Sequence, residues 1–94
     1  MKDIRWAKLA TDDVEAIERW YRGVDQELAA KMLDRIVSST RLLSDHALAG
    51  PIELYGTRRK RRVAGTPYNL FYRVTGDHVR VLRVLHHAQD QSRR

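Results

Sequence analysis

Two features of this chain are suited to chemistry: the five consecutive cations Arg58-Arg59-Lys60-Arg61-Arg62, and the adjacent histidines His86-His87. A run of like charges repels itself and gains most when phosphates or carboxylates lie across it, arginine through its planar fork in particular. On an edge strand the same run has a second, protective use, because charge there blocks sheet-to-sheet association. Histidine titrates near neutral pH, so His86 or His87 can act as a general acid or base, and Asp90 follows closely enough to orient one. Adjacent residues of a strand point to opposite faces, so the two imidazoles cannot share one metal ion without distortion. No metal site and no cofactor is expected. There is no Gly-rich phosphate loop, no paired-carboxylate constellation and no serine in an activating motif. With no cysteine there is neither a thiolate nucleophile nor a disulfide, which fits a reducing compartment.

These residues need elements to position them. Asp3 to Ala7 reads as a short strand with Ile4 and Trp6 on one side and Arg5 on the other. From Thr11 the period becomes helical: Val14, Ile17, Tyr21 and Val24 recur on one face with Trp20 beside them, and Thr11, Asp12 and Asp13 are placed to cap the start. Gly23 and Asp25 interrupt this helix. Leu28, Ala29, Met32, Leu33, Ile36 and Leu43 then mark a longer second helix that should end before Gly50-Pro51. The two helices form an antiparallel hairpin, with the apolar and aromatic residues of their stripes in the core.

After Pro51 the helical period disappears. The segments 57–64, 68–75 and 78–88, separated by Gly65-Thr66-Pro67 and Gly76-Asp77, read as an antiparallel meander. A two-residue loop at Gly76-Asp77 pairs Val74 with Val79, Tyr72 with Val81, Leu70 with Arg83 and Tyr68 with Leu85 on the face toward the helices. The opposite face then carries Arg73 beside Arg80, Phe71 beside Leu82, Asn69 beside Val84, and His86 at its end. Directly opposed arginines are unfavourable in a sheet, so Arg73 and Arg80 hint at an anionic guest. A slip of one residue would exchange the two faces.

At 94 residues the chain has room for one core, so a single domain over residues 1–94 is expected. Charge is unevenly distributed. Residues 1–57 hold 8 Lys and Arg against 10 Asp and Glu, whereas residues 58–94 hold 10 against 2. That asymmetry calls for a polyanionic or acidic partner on the C-terminal part. No secretory leader or membrane-spanning run is visible, and the expected location is cytoplasmic.

The stretch Gly65-Thr66-Pro67-Tyr68-Asn69-Leu70-Phe71-Tyr72-Arg73-Val74, then Gly76-Asp77, then Val81-Leu82-Arg83-Val84-Leu85-His86-His87-Ala88-Gln89-Asp90, resembles the C-terminal part of ParE/RelE toxins. Ala10, Asp13, Val14, Ile17 and Tyr21 are similar to that family's first helix. The resemblance implies an α+β fold: an N-terminal strand, then an antiparallel helix hairpin packed on an antiparallel β-sheet. It also implies the toxin of a type II toxin–antitoxin system, with growth inhibition, plasmid stabilisation and a cognate antitoxin in a hetero-oligomer.

Two targets are known in the family, and the residues bear on both. Lys60 and Arg62 fall where RelE-like toxins carry alternating cations. In a ribosome-dependent mRNA endonuclease they would grip the RNA, Arg83 or Arg73 would stabilise phosphate charge, and His86 or His87 would move the proton. Against that, Asn69 stands where RelE-like toxins usually have arginine, His86 and His87 replace a late basic pair, and residues 89–94 lack a closing tyrosine. The Leu-Arg-Val-Leu-His form resembles the ParE branch, whose members poison DNA gyrase without a nuclease site. Lys60, Arg62, Arg73 and Arg80 are then candidate contacts to the target, and Arg58, Arg59 and Arg61 to an acidic antitoxin tail. A nontoxic basic binding domain is the remaining alternative.

Overall fold

The computed structural model describes residues 2–46 and 58–89. Asp90, the 90–94 tail, Gly50-Pro51 and the start of the strand expected from Thr57 lie outside the described residues. Strand β1 spans Asp3–Trp6, helix α1 Lys8–Arg22 and helix α2 Gln26–His46. Strands β2 (Arg59–Arg62), β3 (Tyr68–Val74) and β4 (His78–His86) follow, and a single 3₁₀ turn over His87–Gln89 ends the described chain.

The strand order is β1-β4-β3-β2. β2, β3 and β4 form the expected antiparallel meander, while β1 returns beside β4 in parallel, so the whole sheet is mixed. Parallel pairing is available because the helix hairpin lies between β1 and the meander, and parallel neighbours need such a long connection.

Ala7, just after β1, donates its N–H to the Val81 carbonyl and accepts from Thr11 N–H, so the strand end itself starts α1. The helix therefore begins at Lys8, not at Thr11. Ala7 gives no side-chain cap, and Asp12 pairs one turn back with Lys8 at 3.2 Å. Asp25 does cap α2, accepting the Glu27 N–H at 2.9 Å. Such a cap contributes about 1 kcal/mol.

The core lies between the hairpin and one face of the sheet. Ala10, Ile36, Leu43, Val63, Leu70, Tyr72, Val79, Val81 and Val84 are buried there, with Ile4, Trp6, Val14, Ile17, Tyr21 and Val74 packed against them. Each large apolar side chain so enclosed stabilises the fold by about 1.5–3 kcal/mol. Not all of the expected helix stripe is inside. Trp20, Val24 and Leu33 are exposed, as are Leu9 and Leu42.

The tight turn between β2 and β3 is built by its own residues. Thr66 donates N–H and Oγ1 to the Val63 carbonyl and accepts the Tyr68 N–H on Oγ1, and Gly65 takes φ +76°, which suits glycine. No helix of the described residues is long and apolar enough to cross a membrane.

Candidate functional site

The pairing of β3 with β4 decides where the candidate residues go. Val74 faces Val79, Arg73 faces Arg80 and Tyr72 faces Val81, as the two-residue loop requires. Between Phe71 and Tyr72 the register shifts: Phe71 faces Arg83, Leu70 faces Val84, Asn69 faces Leu85 and Tyr68 faces His86. Leu82 is thus the extra residue of a β-bulge, and everything after it changes face relative to the expected pairing. Val84, not Arg83, enters the core, and His86 moves from the open face to the side of Tyr68. The expected pairs of Leu70 with Arg83, Phe71 with Leu82, Asn69 with Val84 and Tyr68 with Leu85 are replaced.

The bulge aims Arg83 at α1. Its Nε and Nη2 donate to the two Asp13 oxygens at 2.8 and 2.9 Å, and Asp13 Oδ2 also accepts the Val84 N–H at 2.9 Å. β1 pairs only with residues 78–81 of β4, so beyond that point Asp13 serves the backbone where no strand does. The Asp13 hydrogen bonds, with its charge, raise the Arg83 pKa further above its ordinary range against the opposing effect of burial. Arg83 is accordingly committed to holding α1 on the sheet rather than to a phosphate.

His86 packs edge-on to Tyr68, with ring centroids 5.5 Å apart, and stacks on His87 at 5.4 Å. Its Nδ1 accepts the Ala88 N–H at 3.0 Å. That hydrogen bond engages the Nδ1 lone pair with the backbone of the turn that follows. Tyr68 in turn meets Tyr21 edge-on at 6.4 Å. Burial first, and then the hydrogen bond and charge of Tyr21, push the Tyr68 hydroxyl well above the ordinary tyrosine range, so it stays protonated. His87 is exposed and anchors its N–H on the Pro67 carbonyl at 2.8 Å.

The basic run divides between the faces of β2. Lys60 faces Phe71 and Arg62 faces Asn69 on the open face, whereas Arg59 faces Tyr72 and Arg61 faces Leu70 on the helix side. Arg58 joins the open face: its guanidinium lies 4.4 Å from the centroid of the buried Phe71 ring, with Lys60 Nζ at 6.0 Å. Cations over an aromatic face are held by its quadrupole. Arg58, Arg59 and Arg61 therefore do not share one surface. Arg61 lines a groove of about 440 Å³ between α2 and β2, together with Lys31, Asp34, Arg35, Ser38 and Leu42.

On the open face, Arg73 and Arg80 sit opposite one another as expected, and β1 adds a third member, because Arg5 pairs with Arg80. The sequence placed Arg5 on the side away from Ile4 and Trp6, but only the parallel pairing brings it into line. Among the described residues no three His, Asp or Glu side chains gather as a metal site would need.

The described residues thus form a helix hairpin on a small mixed sheet with a cationic edge strand. A family model described as the ParE toxin of the type II toxin–antitoxin system parDE matches residues 4–91, and the chain belongs to that family. It is thus the toxin half of a toxin–antitoxin pair. Among solved structures, the chromosomal ParDE system from P. aeruginosa superposes with a TM-score of 0.81 at 25% identity, covering 92% of this chain and 96% of that one. The E. coli DinJ–YafQ toxin–antitoxin complex shares the fold, with a TM-score of 0.58 at 22% identity over 93% of each chain. No curated protein sequence matches.

Proposed function

We propose that this ParE-family toxin inhibits DNA gyrase by binding, and that a cognate antitoxin with an acidic C-terminal segment neutralises it in the cytoplasm. One observation carries the reading: the groups a ribonuclease would need are dispersed. Arg83 is tied to Asp13, and His86 has its Nδ1 engaged by Ala88 on the helix side of the sheet. Arg73 is five residues along β3 from the partner of His86, about 17 Å away, too far for both to meet one phosphate. Lys60 and Arg83 are both in register with Phe71, but the Arg83 guanidinium is drawn off to Asp13, so the two do not converge.

The antitoxin segment fits the groove between α2 and β2. There Arg61, Arg62, Lys31 and Arg35 outnumber Asp34 around Leu42, so carboxylates and an apolar anchor would both be met. Arg59 belongs to the same side, and Arg58 acts from the open face. Stable inheritance of a plasmid or chromosomal segment would follow from such a pair.

The test is purified gyrase with relaxed and with supercoiled plasmid DNA. The full-length toxin should trap cleaved DNA or block supercoiling, and its expression should cause filamentation and a DNA-damage response. Codon-phased mRNA cuts that vanish in a His86→Ala, His87→Ala double variant, with gyrase unaffected, would overturn the proposal in favour of the endonuclease.

A further inference from the structure

Arg35 reaches from α2 to the turn between β2 and β3. Its Nη1 donates to the Ala64 carbonyl at 3.4 Å. The guanidinium lies so close to Gly65 that a methyl there would overlap Nη1 and stand 3.0 Å from Cζ and 3.5 Å from Nε. We infer that Arg35, seated on Gly65, is the residue that selects a carboxylate in the groove between α2 and β2, and that it reads an acidic residue about 10 Å from an apolar anchor. The inference rests on the reading of this groove as the antitoxin site and names what the groove recognises.

The seat depends on the glycine. Any Cβ at that position would push the guanidinium off the turn, and the φ of +76° suits few other residues. An arginine held in this way has less rotamer freedom to lose when a ligand arrives. With Nη1 given to Ala64, the Nε and Nη2 donors remain as a planar fork that matches the two oxygens of a carboxylate. Arg83 uses the same two donors on Asp13 in this molecule, at 2.8 and 2.9 Å. Among the described residues no ion pair engages Arg35. Asp34, the carboxylate that lines the groove, is its neighbour in sequence, and side chains one apart on a helix diverge.

The rest of the groove fixes where that carboxylate must stand. Leu42, 49% exposed, lies seven positions beyond Arg35 on α2, about 10.5 Å along the helix axis. A helical segment lying along α2 meets both with an acidic and an apolar residue seven positions apart, and an extended segment with the two about three apart. A phosphate backbone would satisfy Arg35 and leave Leu42 in water, so a peptide is the occupant that uses both. Lys31, one turn before Arg35, and Arg61 on β2 line the same groove and add attraction for an acidic segment.

The probe is a helical peptide of about 16 residues, alanine and glutamine apart from one Glu and one Leu seven positions apart, made in both orders. It is titrated into full-length isotope-labelled toxin, free of antitoxin, and followed by NMR. The Arg35 Nε–H resonance should shift, and Arg35→Gln should weaken binding about 5-fold, the upper end for an exposed but bidentate pair. Arg35→Lys keeps the charge without the fork and should lose nearly as much. Arg41→Gln, an equal loss of charge elsewhere on α2, should bind as the unaltered toxin does. Gly65→Ala should cost about 5-fold by displacing Arg35, and nothing further in the Arg35→Gln background, whereas a turn acting only through stability would cost the same in both. Should Gly65→Ala not fold, Arg35→Lys carries the test. With groove amides still shifting, unchanged affinity in Arg35→Gln, full affinity in Arg35→Lys or an equal loss in Arg41→Gln overturns this inference and leaves the antitoxin groove standing. No shift at the groove with either peptide overturns both.

Discussion

Replacing Asp13 by alanine tests whether one carboxylate fastens α1 to the bulged half of β4. The side chain is 15% exposed and accepts three N–H groups at 2.8–2.9 Å, two from Arg83 and one from Val84. Hydrogen bonds to a charged group contribute about 1.5–3 kcal/mol each when fully enclosed. Arg83 is 36% exposed, so water recovers much of what its guanidinium loses, and about 1 kcal/mol is assigned to that pair. The Val84 amide and the emptied space add about 2 kcal/mol. The expected loss is about 3 kcal/mol, a fall in Tm of about 12–24 °C for a domain of this size.

Asp13→Asn keeps an acceptor for Val84 and should cost about half as much. Urea titrations of Asp13→Ala, Arg83→Met and the double variant supply the coupling. The two single losses should exceed the double loss by about 1 kcal/mol, and the Val84 amide should lose hydrogen-exchange protection. The Arg83 pKa is raised on folding, so its contribution is fully present below the ordinary arginine range and lost only as pH rises beyond it. The cost of Asp13→Ala should therefore not change between neutral and mildly alkaline pH. A loss under about 1 kcal/mol, or additive single variants, would refute the reasoning.

Gly65→Ala should cost about 1–2 kcal/mol in the same titration, because φ is +76° and the new methyl would meet the guanidinium of Arg35 and displace it from the Ala64 carbonyl. Asp77 is held below the usual carboxylate range first by the hydrogen bond from His78, then by its own backbone N–H, with Arg5 and His78 charges assisting. Its contribution is thus present above the unfolded-state value of 3.8 and lost as pH falls through the depressed folded value. His78→Ala should move the Asp77 carboxyl titration, followed by NMR, up toward that unfolded value; no movement would deny the hydrogen bond its role.

Much of the fold was legible because period and turn chemistry are local. The helix hairpin, the meander and the first three pairs of β3 with β4 follow from apolar spacing and from Gly76-Asp77. The bulge was not, because it depends on what each face must hold. Its trace was nonetheless present: an uninterrupted alternation after Val79 and Val81 puts Arg83 in the core beside Leu70, and one extra residue replaces it with Val84. Asp13 was read as N-terminal helix acidity since its partner is 70 residues away in sequence. Trp20 lies beside half-buried Ile17 and Tyr21 in period, yet is 64% exposed. Arg73 with Arg80 was readable from the hairpin, but Arg5 was not, as nothing local reveals that β1 joins in parallel.

The outer position of β2 bears on how free toxin behaves in a cell that makes too much of it. Among the described strands it is one of the two edges, β1 being the other, and its four residues are all Arg or Lys. Two copies meeting there would set cation against cation in either direction, so crowding toxin molecules together does not reward homotypic pairing on that side. Self-association by pairing of two β2 edges is therefore disfavoured, and it does not compete there with a partner that brings carboxylates. A chain with a neutral strand in that place would lack this barrier to edge-to-edge pairing.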